Sequence, residues 1–354
     1  MAEIRPLERD DLPQVATLVR TILPEWMPDE QIPEFLIDTL IDDPWSDPEL
    51  PPLVALGNDS EVVGFVGSQV RRFRFGDREL RGVCPSHLVV VQDGRAGAAG
   101  ALLLRRLLTA GQEFTFSDTA SDEVVRIWRT FGGHLDAARS CDWMIVLRPV
   151  RWLRGVAGAA ARRRPLGREE VPVGALPFQA AGPRLLGRAF PDLEPDVTGE
   201  DVDTATIVEH LPELTRGIRL RANYDEQFLD HLFGHVESLL GGLVRRLVRR
   251  GGRPVGWYAY IDQPSGVGRV LHLAAGERDV DAVLGELLLH AREQKSAVIS
   301  GRIEPHLLTP LRRRLAVLGF ARQPVIHAHD PELLAVLATN DSLLTQLDSE
   351  WFVT

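Results

Sequence analysis

Residues 84–108 read CPSHLVVVQDGRAGAAGALLLRRLL, and this stretch decides the fold. His87 to Val91 is a run of strand formers, and Gln92-Asp93-Gly94 supplies turn chemistry. Ala99 to Leu108 has the Ala/Leu/Arg composition that favours a helix. A loop of Gly and Ala ahead of a helix leaves backbone N–H groups unpaired and lets a ligand approach them closely. With the positive end of the helix dipole, such a loop forms a cradle for phosphate groups. The pattern therefore predicts strand, small-residue loop and helix, in that order.

The stretch resembles the acyl-CoA-binding signature of the GNAT acyltransferase superfamily. That signature is a strand ending in a short apolar run, then Arg or Gln, two residues, Gly, one residue, and Gly or Ala. With Arg95 at the basic position, Ala98 falls on the first glycine, Gly100 on the second, and Leu88-Val89-Val90-Val91 on the strand. A rival register uses Gly97 and Ala99 but sets Gly94 where Arg or Gln belongs. The resemblance implies that Leu88, Val89, Val90, Val91, Arg95, Ala96, Gly97, Ala98, Ala99 and Gly100 hold an acyl-CoA co-substrate, acetyl-CoA in the simplest case. Ala98 departs from the pattern and its methyl narrows the cradle; Gln92 replaces the proline common in such turns.

Working outward, the first half keeps the expected order. Residues 2–7 read as an edge strand, and Leu12, Val15, Leu18, Val19 and Ile22 have helical spacing. A second helical segment covers about 28–41. Residues 53–56 and 62–71 are strands parted by a GNDSE turn, and the meander continues around Gly76-Asp77 into the quoted stretch. After the helix come a strand at 113–117 and DTASDEVVRIWRTFGG, where Ser121, Asp122 and Glu123 make a good helix N-terminus. The resemblance places Ser121 at a cofactor-side position. It also places Trp128 where such proteins often carry a Tyr that protonates the departing thiolate, which an indole cannot do. Residues 142–147 supply a last strand for this half.

Residues 151–182 are rich in Ala, Arg, Gly and Pro and read as a linker. The remainder echoes the first half: helices near 183–190, 204–214 and 224–236, a hairpin and further strand across 243–274, a helix at 280–293, then strand, helix and Leu-Gly-Phe. The RPVGWY piece is similar to EVVGFVG of the first half. HLAAGERDVDAV puts acidic residues where the loop of the first half has Arg95, and acid at a helix N-terminus repels phosphate. The expectation is an α/β (α+β) protein of two GNAT-like domains, each a mixed, mostly antiparallel sheet flanked by helices. The first, with the acyl-CoA loop, spans 1–150; a second, degenerate one spans 183–354. Its ending, ATNDSLLTQLDSEWF, resembles the tail of some paired-domain bacterial GNAT proteins.

The chain has 354 residues, 44% hydrophobic and 25% charged, with two cysteines and a net charge of −10. Length suits two domains. Two cysteines are too few for a disulfide framework or a zinc site, and no metal is expected. The acidic balance argues against general nucleic-acid binding. No apolar run approaches a membrane span and the N-terminus is charged, so a cytoplasmic protein without a membrane partner is expected.

For chemistry, acyl transfer to an amine needs a base for the amine and a donor for the thioester carbonyl. His87 and Glu79 are the candidate bases, His87 for its ordinary pKa near neutrality. The N–H of Val89 or Val90 is the candidate carbonyl donor. The resemblance implies an acyl-CoA-dependent N-acyltransferase acting on a small-molecule amine by direct transfer in a ternary complex. The alternatives are a non-catalytic protein that keeps the fold, for which Ala98 and Trp128 count, and a protein akin to tandem GNAT-fold aminoacyltransferases that use charged transfer RNA.

Overall fold

The computed structural model describes residues 3–23, 27–58, 60–92, 98–152, 194–263, 266–314, 316–320 and 322–352. The expected linker, from residue 153 on, and the helix expected near 183–190 lie outside the described residues. The chain forms two compact units. One holds the described residues of 1–136, 323–334 and 348–353; the other holds those of 137–322 and 335–347.

The first unit contains β1 (Glu3–Pro6), α1 (Leu12–Ile22), α2 (Ile32–Leu40), β2 (Leu53–Leu56), β3 (Val62–Phe75), β4 (Arg78–Val90), α3 (Ala99–Leu108), β5 (Phe114–Ser117), α4 (Asp122–Thr130) and β6 (His134–Leu135). The next strand, β7 (Cys141–Val146), lies in the second unit. There it is followed by β8 (Val197–Asp201), α5 (Thr204–Leu214), β9 (Leu220–Ala222), α6 (Glu226–Leu240), β10 (Leu243–Arg250), β11 (Arg253–Asp262), β12 (Val267–Ala275), α7 (Val280–Glu293), β13 (Val298–Arg302), α8 (Leu308–Arg313) and β14 (Val317–Phe320). β15 (Val325–Ala328) belongs to the first unit again; α9 (Pro331–Leu337) and β16 (Ser342–Leu343) follow, and β16 pairs with β9.

The two sheets have one order. The first runs β6-β15-β5-β4-β3-β2-β1 and the second β14-β7-β13-β12-β11-β10-β8. Along each of these paths one parallel pair, β4 with β5 and β12 with β13, sits among antiparallel neighbours; the β9–β16 pair, off the path of the first sheet, is also parallel. The strand second from one end is supplied by the other half of the chain. Residues 142–147, expected to close the first half, instead pair with β13 and β14 of the second sheet. The place they were expected to fill is taken by β15, which pairs with β5 and β6. Alternation of apolar residues marks a strand but carries no information about which of two like-ordered sheets will accept it.

In each unit the helix that follows the first strand of the parallel pair packs on that strand and its antiparallel neighbour, α3 on β4 and β3, α7 on β12 and β11. α3 buries Leu103, Leu104, Leu107 and Leu108 and leaves Arg105 and Arg106 exposed near its negative end. Burial of each such leucine stabilises by about 1.5–3 kcal/mol. In the second unit α7 buries Val283, Leu284, Leu287 and Leu288 against β11 and β12.

The V-G-F and V-G-W echoes serve this contact. A Cβ on Gly64 would lie 3.0 Å from Val90 and 3.1 Å from Leu103 of α3. On Gly256 it would lie 2.5 Å from Val283 of α7 and 2.6 Å from the Ala274 carbonyl oxygen. Side chains flex at the first site, whereas a backbone oxygen blocks the second. Gly256→Ala is therefore expected to destabilise the protein by about 1–3 kcal/mol. The check is a denaturant midpoint set beside that of Gly64→Ala, which should shift less.

Candidate active site

In the first unit β4 and β5 pair only at Gly82 with Phe114 and Val83 with Thr115. Beyond those residues the paired register stops, while β4 runs on to Val90. On its other edge β4 carries a bulge. Phe65 faces Val89 and Gly67 faces Ser86, so His87 and Leu88 together oppose the single residue Val66. His87 takes the left-handed conformation this demands, with φ of 53°. After the bulge the Val91 N–H donates to the Val63 carbonyl at 3.0 Å. Successive amides of a strand point to opposite edges. The neighbouring Val90 N–H, in register with Gly64, thus turns toward the edge on which β5 lies.

Residues 348–352 line this same region. Glu350 is 3% exposed. Its carboxylate accepts hydrogen bonds from the Ser117 hydroxyl at 2.6 Å, the Asp118 N–H at 2.8 Å and the Thr119 hydroxyl at 3.3 Å, all at or just beyond the end of β5. The Ser349 hydroxyl donates to Asp118. Buried Arg71 anchors the segment by donating to the Asp348 carbonyl at 3.2 Å and is itself held by Gln69 and Asp43. Phe352 stacks on the His87 ring with centroids 5.3 Å apart and meets Phe35 edge-on at 5.0 Å. Loss of hydration, and then the nearby Asp118 carboxylate, outweigh these donors and push the Glu350 pKa up to about 7.

The residues expected from the sequence divide. His87 is at the bulge, but burial pushes its pKa down to about 3, which makes the ring neutral and a weak proton acceptor at neutral pH. Glu79 lies eight positions back on β4, about 26 Å along an extended strand. It is 73% exposed and faces Arg74 at 3.6 Å, so the structure does not bring the two together. Leu88, Val89 and Val90 lie on the strand beyond the bulge, with Val91 just past its end. Arg95, Ala96 and Gly97 lie outside the described residues. Ala98 is the N-cap of α3 and offers it no side-chain hydrogen bond. Ala99 is fully buried, and a Cβ on Gly100 would make only an ordinary 3.6 Å contact with Val90.

Ser121 caps α4 by accepting from the Val124 N–H at 3.3 Å. Trp128 is core, packed with Leu104, Leu108 and Val325. Cys84 is buried and its thiol is pushed well up by desolvation, so it is no nucleophile. Among the described residues no group of three or more His, Cys, Asp or Glu is placed to hold a metal, and no helix is long and apolar enough to cross a membrane.

Glu350 and Asp118 were missed by sequence reasoning. The tail was legible only as similar to other tails, and nothing local marks one of its acids as buried.

At the strand–helix junction of the second unit the acids make ion pairs. Asp279 and Asp281, expected to repel phosphate there, are engaged by arginines. Asp279 pairs with Arg250 and Arg253, and Asp281 faces Arg314 at 3.2 Å.

No protein-family model and no curated protein matches the sequence. Solved structures do match in fold. A conserved protein of unknown function from Enterococcus faecalis, described as a probable N-acyltransferase, is 11% identical with a TM-score of 0.58; the match covers 93% of this chain and 73% of that one. A GCN5-related N-acetyltransferase from Kribbella flavida is 14% identical, TM-score 0.54, covering 93% and 72%. Another from Anabaena variabilis is 10% identical, TM-score 0.60, covering 93% and 73%. At such identities the likeness is one of fold. This chain shares the fold of these solved structures, two mixed sheets flanked by helices in the manner of two GNAT-like domains.

Proposed function

We propose that the protein is an acyl-CoA-dependent N-acyltransferase, with acetyl-CoA as donor and a small-molecule amine as acceptor, and that its first unit carries the reaction. The observation that supports this best is the end of the β4–β5 pairing at Val83 and Thr115, with the Val90 N–H turned toward the β5 edge and the Glu350 carboxyl at the end of β5. The first turn of α3 and the strand residues Leu88 to Val91, which the resemblance implies, suit the phosphates and pantetheine of the donor.

In the reaction the amine nitrogen attacks the thioester carbonyl carbon. The C–N bond forms, the C–S bond breaks, the amine proton passes to the Glu350 carboxylate, and the thiolate leaves. The Val90 N–H faces the developing oxyanion. A base with a pKa of about 7 is half ionised near neutrality, where general-base catalysis is most effective. The buried Trp128, in place of a phenol, leaves protonation of the thiolate to solvent.

Calorimetric titration of the protein with acetyl-CoA tests this reading. Micromolar binding is expected, lost in Arg95→Glu. Failure of acetyl-CoA and of longer acyl-CoAs to bind would refute it.

A further inference from the structure

Two acids of the first unit are buried together. Asp118, the residue after β5, is 2% exposed and Glu350 is 3% exposed. Their contacts are reciprocal. The Asp118 N–H donates to a Glu350 carboxylate oxygen at 2.8 Å, and the hydroxyl of Ser349, next to Glu350 in the chain, donates to the Asp118 carboxylate. The other donors to Glu350 are the Ser117 and Thr119 hydroxyls, at 2.6 and 3.3 Å. All three donors are neutral groups.

Elsewhere the chain meets a buried glutamate with arginine. Glu286 faces Arg246 at 3.0 Å and Glu304 faces Arg302 at 2.7 Å. Arginine favours the ionised form of a carboxylate. Around Glu350 the balance runs the other way. The groups acting on it are the Asp118 carboxylate and, from β4, the Cys84 thiol, which loss of hydration and then the Glu350 charge keep protonated. Arg71 of β3, the cation that acts on the same thiol, donates to Asp43, Gln69 and the Asp348 carbonyl. In a poorly hydrated interior two like charges repel strongly, and a proton on one of them removes the repulsion.

We propose that Asp118 is a positioning residue for Glu350: its negative charge favours the protonated form of Glu350, so that the pair exchanges a single proton. This role presupposes the Glu350 base proposed above. In transfer the amine proton moves to Glu350 while Asp118 keeps its charge. The pair passes from two negative charges to one, and loss of that proton restores the second. The Ser349 hydroxyl and the Asp118 N–H hold the two carboxyls in place throughout.

The test is a carbon-13 NMR titration of the Glu350 carboxyl in the full chain labelled at glutamate, the signal being assigned by its loss in Glu350→Gln. In the wild type, half-protonation is expected at about pH 7. In Asp118→Asn it should fall about one pH unit lower, still above the ordinary carboxylate range because burial remains. The rising limb of kcat/KM should move down by the same amount, whereas Glu350→Gln abolishes it. Asp118→Ser, also neutral and smaller, gives the same reading should asparagine not fit. A Glu350 titration unchanged in either folded variant would overturn the role of Asp118 and leave acyl transfer standing. Acetyl-CoA that fails to bind would instead refute acyl transfer, with the titration untouched.

Discussion

Glu350→Gln is expected to slow acyl transfer by about 10²–10⁴-fold, the usual worth of a general base. The substitution keeps the size of the side chain and an acceptor oxygen for the Asp118 N–H, and the Ser117 hydroxyl can rotate to receive the new amide. Folding should therefore survive. Two pH measurements separate the base from a merely structural carboxyl. In the wild type kcat/KM should rise with pH through about 7, as the carboxyl ionises, and the variant should lose that limb.

Stability should move the other way. A carboxyl whose pKa is higher in the folded than in the unfolded state binds more protons when folded. Its contribution is full below the ordinary carboxylate range and is lost as pH rises through about 7. The always-neutral glutamine has no such loss. The denaturant midpoint of Glu350→Gln should thus gain on that of the wild type between about pH 5 and 8. A variant with full activity and an unchanged pH profile would remove Glu350 from the chemistry.

Glu304→Ala should have the largest effect on stability, about 3–5 kcal/mol, because it takes the shared carboxylate from two buried guanidiniums. Glu304 is 4% exposed, Arg139 1% and Arg302 3%. Arg139 donates to one carboxylate oxygen at 2.9 Å and Arg302 to the other at 2.7 Å. Arg139 also donates to the Leu337 carbonyl at 2.7 Å and the Ser342 hydroxyl at 2.9 Å, so the network ties β13 to the segment around β16. Removing the carboxylate leaves two like charges in a poorly hydrated interior. The sign holds even though burial disfavours the ionised acid, since the arginines are already desolvated. Urea unfolding at neutral pH measures it, and a shift below about 1 kcal/mol would show that water reaches the pair.

Both residues show where sequence reading stopped. Strand, loop and helix around Val91 were legible because each has a local signature, and so was the echo that became the second sheet. Nothing local to Glu304 marks it as half of a buried ion pair. Its role comes from Arg139, 165 positions away, and no periodicity reports such a pairing. His87 was singled out for its ordinary pKa, but the pKa in the fold is set by Phe35 and Phe352 packed against its ring, and Phe352 arrives from the far end of the chain. Likewise, the arginines that engage Asp279 and Asp281 after β12 lie in Arg-rich runs elsewhere in the sequence, so no local pattern reports those pairings.

The exchange of β7 and β15 has a consequence for biosynthesis. When residues 1–135 have left the ribosome, the first sheet still lacks the strand that joins β5 to β6. That strand lies roughly 190 residues further on, and the segment carrying Glu350 comes later still. At about 5–20 residues per second the nascent first half waits on the order of 10–40 s with an open edge on β5. For that interval the unpaired edge is open to non-native strand pairing. Glu350, the base proposed above, is made after β15 and long after the donor loop.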